Sequence, residues 1–152
     1  MAQTEAEKNI TVNRKARHEY FIIQSYEAGI VLVGTEVKAL RNNNANLTDS
    51  YAVIKDGEVW LLNAHIGPYE QGNIENHESK RPRKLLFKKS EIRKLQRSIL
   101  EKGNTLIPLR LYFNNSLIKV EIGIAKGKKF YDKRDEIAKK DAKRDLDRKL
   151  KY

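Results

Sequence analysis

Apolar and polar positions alternate with a period of two over much of the chain between Tyr20 and Ala125, and that period is the signature of half-buried β-strands. The clearest case lies between Thr105 and Ala125. There Leu109, Leu111 and Phe113 alternate with Arg110 and Tyr112, and Ile118, Val120, Ile122 and Ile124 alternate with Lys119, Glu121 and Gly123. Asn114-Asn115-Ser116 reads as the turn between two strands, with Arg110, Tyr112, Lys119 and Glu121 facing outward. Pro108 marks the start of its strand or an edge. A second hairpin pairs Ser50–Lys55 with Glu58–Leu62 around Asp56-Gly57, a dipeptide suited to the positive φ of a tight turn. A third is expected from Tyr20–Ile23 and Gly29–Val33, with Tyr26-Glu27-Ala28-Gly29 as its turn.

The period changes twice. Thr35–Arg41 is expected to form one or two helical turns capped by Thr35 and ended by Asn42-Asn43-Asn44. Ser90–Lys102 reads as a helix with Ser90 as N-cap, an apolar stripe of Ile92, Leu95, Ile99 and Leu100, and Gly103 as its stop. Residues 67–84 read as a long surface loop. Together these elements predict a mainly β fold: an OB-like closed antiparallel barrel of about six strands with two or three short helices. A sandwich is the alternative architecture. The expected organisation is a flexible arm over residues 1–12, the barrel over 13–126, and a basic tail over 127–152.

Charge adds a partner to this picture. The chain has 152 residues with 31 Lys+Arg against 20 Asp+Glu, a net +11, and its 39% hydrophobic content falls below the roughly 45–50% of an ordinary domain. Six cations and no acid fall between Lys80 and Lys89, and residues 127–152 carry 11 cations and 6 acids. Such an excess points to a polyanion. Cations mix with aromatics at Arg14-Lys15-Ala16-Arg17-His18-Glu19-Tyr20, at Arg110 and Tyr112, and at Lys126, Lys128, Lys129, Phe130 and Tyr131. RNA rewards this mixture, because phosphates attract the cations and unstacked bases lie on the rings. In the tail, Asp135/Lys139, Glu136/Lys140, Asp145/Lys149 and Asp147/Lys151 are acid-before-base pairs at helical spacing, over only a thin apolar ridge. The tail is therefore expected to be disordered when free and helical on a partner, with a plain solubilising tail as the alternative.

Catalytic chemistry finds little support. The absence of cysteine excludes disulfides, thiolate metal sites and thiol catalysis. His18, His65 and His77 have no companion ligand at metal spacing, so neither a metal nor another cofactor is expected. Gly123–Lys129 lacks the spacing and the Ser/Thr of a phosphate loop, and Ser116 and Lys119 would point to opposite faces of a strand. No apolar run reaches membrane length, and Met1–Asn9 is unlike a signal peptide, so an intracellular chain that binds no membrane is expected.

Taken in order, six stretches resemble one family, the tmRNA-binding small protein B (SsrA-binding protein) family of bacterial trans-translation. They are Asn13–Tyr20, Tyr26–Gly29, Gly34–Arg41, Asp49-Ser50-Tyr51, Arg83–Leu86, and Gly127-Lys128-Lys129 before Asp132-Lys133-Arg134. The resemblance implies a cytoplasmic bacterial protein, with no catalysis of its own, that binds the tRNA-like domain of tmRNA. It implies delivery to stalled ribosomes alongside alanyl-tmRNA and elongation factor Tu. It also implies tmRNA contact at Asn13, Glu27, Leu86 and Lys119, to which the basic stretches add Lys84 and the cations named above. Asp132-Lys133-Arg134 is expected near the decoding centre of the small subunit. The following helix, with Lys139, Lys140, Lys143, Arg144 and Arg148, is expected to meet rRNA phosphates along the vacant mRNA channel. Tyr131 stands where some members have histidine, which keeps a ring for stacking and removes an imidazolium. A monomer is expected. Another RNA-binding module and an RNA-modifying enzyme are the competing readings.

Overall fold

The computed structural model describes residues 7–69 and 76–128. Among the described residues nine strands and three helices follow in the order β1 (Glu7–Val12), α1 (Arg14–Glu19), β2 (Tyr20–Ile30), α2 (Gly34–Arg41), β3 (Ala45–Asn46), β4 (Tyr51–Lys55), β5 (Glu58–Leu62), β6 (His65–Ile66), β7 (Arg83–Leu86), α3 (Lys89–Leu100), β8 (Asn104–Asn114) and β9 (Leu117–Gly127). Six of these strands pair antiparallel in a ring, β8-β4-β5-β7-β2-β9, which closes through β9 and β8. The fold is thus mainly β and closed, as the alternation predicts. Strands β3 and β6 form a separate two-stranded ladder.

Two turns follow directly from their residues. Asp56 and Gly57 both adopt positive φ, +53° and +74°, between the paired Lys55 and Glu58. Asn115, at φ +57°, opens the two-residue turn between Asn114 and Leu117. Positive φ recurs at Asn43 just past α2 and at Gly103 past α3, where each helix stops.

The core fills the ring from its inner face. Val59, Leu61, Leu85, Leu106, Leu111, Val120 and Ile122 meet there, with Ala39 and Leu40 from α2 and Leu95 from α3. Fully burying one such leucine contributes about 1.5–3 kcal/mol. A β-bulge between Pro108 and Arg110 shifts the register against β9. It moves Leu109 out of line with Leu111 and Phe113, and Leu109 instead packs with Ile107 and Ala125 under Ala16 of α1.

Four expectations need correction. Residues 7–12 are not part of a loose arm: β1 pairs along the downstream half of β8 from Glu7–Asn114 to Val12–Arg110. Tyr26–Gly29 is not a turn, because β2 runs unbroken for 11 residues and pairs with β9 from Tyr20–Gly127 to Gly29–Lys119. Neither Thr35 nor Ser90 caps its helix. Glutamates in the first turn reach back instead, Glu36 accepting from the Val33 amide at 2.9 Å and Glu91 from the Lys88 amide at 3.0 Å. Leu100, placed in the buried stripe, is 84% exposed, whereas Leu95 is wholly buried.

Candidate nucleic-acid interface

The ring brings distant residues into one row across its outer face. Leu86 on β7 lies opposite Gly29 on β2, Gly29 opposite Lys119 on β9, and Lys119 opposite Tyr112 on β8. Glu27, two residues before Gly29, shares that face and pairs with Glu121. Leu86 is half exposed and lies flat because Gly29 has no side chain: a Cβ there would stand 3.3 Å from the Leu86 Cβ and 3.4 Å from its Cδ1. An exposed apolar surface is thereby flanked by a carboxylate and a lysine. Such a surface can pack under an unstacked base, with Glu27 accepting from amino or hydroxyl groups and Lys119 meeting a phosphate.

Glu27 is held in place. The Tyr112 hydroxyl donates to its Oε2 at 2.5 Å and the Asn114 amide at 3.4 Å. Burial, then this hydrogen bond, pushes the Tyr112 pKa well above the usual phenol value. Tyr112 itself is no stacking platform, since its ring is buried with the Arg110 guanidinium 3.9 Å from its centroid. Arg110 is engaged as well, donating to Glu7, Glu121 and the side-chain Oδ1 of Asn9. Partial burial works against its charge, but the bonds to Glu7 and Glu121 outweigh that and raise its pKa. The alternation predicts both side chains to face outward from the barrel, and there Glu7 and Asn9 of the neighbouring β1 engage Arg110.

Asn13 also turns inward. Its amide donates to the Pro108 carbonyl at 2.9 Å and the Leu47 carbonyl at 3.4 Å, fixing the entry to α1. Arg14, Arg17 and His18 are exposed on α1, while Lys15 is ion-paired with Asp49 at 3.4 Å and Glu19 at 3.8 Å. An open pocket of about 280 Å³ lies here, lined by Asn13, Lys15, Glu19, Tyr20, Asp49 and Tyr51 among others. Tyr20 packs partly against Ile107 and Leu109. The end of β9 meets α1 nearby: Lys128 donates to the Arg17 carbonyl at 3.2 Å and its ammonium sits 5.2 Å from the Phe21 ring centroid, with Lys126 paired opposite Phe21. Phe21 was not singled out in the sequence, although its place beside Tyr20 in a strand following a basic helix was a usable signal.

Part of the basic run from Lys80 to Lys89 is taken up by ion pairs within the protein. Arg83 is wholly buried and binds Glu36, also wholly buried, and the Ala64 carbonyl at 2.8 Å. Arg81 reaches the same glutamate at 2.5 Å. Burial works to raise the Glu36 pKa, but the bonds from Arg81, the Val33 amide and Arg83 prevail and hold it below the usual carboxylate range. These two arginines belong to the fold rather than to a surface loop. Lys84 pairs with Glu58 at 2.6 Å. His77 ties the described end of the loop to the body, between the Thr35 hydroxyl at 2.9 Å and the Ile66 carbonyl at 2.8 Å. Lys129, Tyr131, Asp132, Lys133, Arg134, Lys139, Lys140, Lys143, Arg144 and Arg148 lie outside the described residues.

A closed β ring with an exposed leucine flanked by a lysine and a carboxylate, and with exposed cations on α1, has the features of a small RNA-binding module. The chain belongs to the SmpB protein family, whose model matches residues 10–152. This is a family of RNA-binding factors and not of enzymes. The SsrA-binding protein of Desulforudis audaxviator is 62% identical over 144 residues, covering 95% of this chain and 94% of that protein. The SsrA-binding protein of Symbiobacterium thermophilum is 58% identical, covering 99% and 97%. A solved structure described as "tmRNA-SmpB: a journey to the center of the bacterial ribosome" is 49% identical, with a TM-score of 0.67 over 78% of this chain and 83% of its own.

Proposed function

We propose that this protein binds the tRNA-like domain of tmRNA and delivers it to stalled ribosomes for trans-translation, acting without catalysis of its own. The observation that carries this reading is near full-length similarity to SsrA-binding proteins. Geometry supports it independently, because Glu27, Leu86 and Lys119, far apart in sequence, share one outer face. In this reading Leu86 packs under a loop base, Glu27 accepts from it, and Lys119 neutralises a phosphate. Asn13 acts by holding α1 so that Arg14, Arg17 and His18 face the RNA. Lys126 and Lys128 extend the same basic edge, and Lys129 continues it.

The finer parts of the reading concern the tail and the partners. Tyr131, Asp132, Lys133 and Arg134 position the chain at the decoding centre, and the cations after them meet rRNA phosphates along the mRNA channel. The backbone entropy of ordering such a tail, roughly 1–2 kcal/mol per residue, is offset only where a groove supplies contacts along its length. The protein works as a cytoplasmic monomer together with alanyl-tmRNA and elongation factor Tu. Among the described residues no helix is long and apolar enough to cross a membrane. The experiment is to compare the full chain with one ending at Lys129, measuring tmRNA affinity and peptide tagging on stalled ribosomes. Near-normal affinity with tagging lost is expected; collapse of affinity, or survival of tagging, contradicts the division of labour.

A further inference from the structure

We propose that the exposed face of α3 is a second contact surface for tmRNA, gripping the phosphate backbone of a double-helical segment next to the base-packing surface around Leu86. The inference rests on the tmRNA reading above and assigns residues that reading leaves unused. Lys89, Arg93 and Arg97 recur every four residues on a helix of 12 residues, so they form a single row. Successive heads on that row stand about 6 Å apart along the axis, on the order of the separation of neighbouring phosphates. Lys88 and Lys94 flank the row, and all five side chains are exposed.

Their charge is uncompensated. Residues 88–102 hold six cations against two carboxylates. Both carboxylates are engaged, Glu91 with the Lys88 amide at 3.0 Å and Glu101 with the Asn104 amide at 3.5 Å. Among the described residues, Lys15, Arg81, Arg83, Lys84 and Arg110 are ion-paired, whereas none of the five cations on α3 and its N-cap is. Aligned cations held close together repel one another, and a polyanion relieves that repulsion. The row also borders an open groove of about 440 Å³ between α3 and the β4–β5 turn, with Gly57 on one wall and Lys89, Arg93 and Gln96 on the other. The absence of a side chain at Gly57 leaves room for a sugar–phosphate strand.

Continuity selects the occupant. Only Phe87 separates Leu86 from Lys88, so an RNA seated over Leu86 reaches the start of α3 without leaving the protein surface. The same tmRNA is therefore the partner, rather than a second nucleic acid.

The test uses the full chain with Lys89→Gln, Arg93→Gln and Arg97→Gln together, binding the tRNA-like domain of tmRNA across a salt series. Each lost phosphate contact removes about 0.7–0.9 from the slope of log affinity against log salt. The triple variant should flatten the slope by about 2–3 and weaken binding about tenfold or more near 0.15 M salt. Arg93→Gln alone should remove about one third of that change, and the charge-conserving set Lys89→Arg, Arg93→Lys and Arg97→Lys should retain binding. If the triple variant binds as the parent does while Leu86→Ser is weakened, the α3 surface is wrong and the tmRNA reading stands. If the triple variant keeps its tmRNA affinity but loses binding to purified small subunits, α3 serves rRNA and the proposal is overturned. A parent chain that prefers an unrelated RNA hairpin to tmRNA overturns both.

Discussion

Glu36 is wholly buried, and its carboxylate accepts from the Val33 amide, Arg81 and Arg83. Removing one member of a buried pair strands the other charge and costs about 3–5 kcal/mol. Glu36→Gln should therefore lower the thermal midpoint markedly at neutral pH. Its folded pKa is depressed, so the stability it contributes is present above the ordinary carboxylate range and lost as pH falls through the folded value. Parent and variant melting curves should accordingly converge in acid; a gap independent of pH would contradict the ion pair. Gly29 makes the opposite kind of contribution, a space rather than a contact. Gly29→Ala brings a methyl within 3.3 Å of Leu86, whose exposed side chain can yield. The fold should change in stability by less than about 1 kcal/mol, while tmRNA affinity falls several-fold because the leucine no longer lies flat. Unchanged affinity in a binding titration would remove the flat surface from the account.

Elements were legible in the sequence where their signal was local. Asp56-Gly57 and Asn115 announce their turns through residues that tolerate positive φ, and both hairpins formed around them. β1 was not legible because its partner lies about a hundred residues away and nothing in Glu7–Val12 alternates strongly. The sequence pattern divides β2 in two because Tyr26–Gly29 reads as a turn, whereas Gly29 lets Leu86 approach. The register across the ring is likewise non-local, which is why Glu27, Leu86 and Lys119 came from family resemblance and not from spacing. Charge counting could not foresee that Arg83 would face inward. A chain lacking residues 1–12 should remain folded but melt roughly 5–10 °C lower, since it loses the buried Ile10 and two of the three partners of Arg110, Glu7 and Asn9. Hydrogen exchange should quicken in the downstream half of β8; an unaltered exchange pattern would mean that β1 contributes little.

For the molecule as a whole, the +11 charge is not a uniform coat. Residues 127–152 carry 11 cations against 6 acids. Among the described residues part of the positive charge is consumed inside the fold by Glu36, part is paired on the surface, and unpaired cations line α1 and α3. The ring holds α1, the end of β9, α3 and the Leu86 surface in fixed geometry, with α1 and Leu86 at opposite ends of β2, and fixed geometry is what recognition of a folded RNA requires. The most direct test is the affinity of the full chain for the tRNA-like domain of tmRNA, measured beside the Leu86→Ser and Lys119→Ala double variant and an unrelated RNA of equal length. The parent should bind tmRNA in clear preference to the unrelated RNA, and the double variant should bind tmRNA at least about tenfold more weakly with an unchanged circular dichroism spectrum. Equal affinity for both RNAs, or a folded double variant that binds tmRNA as the parent does, would contradict the account.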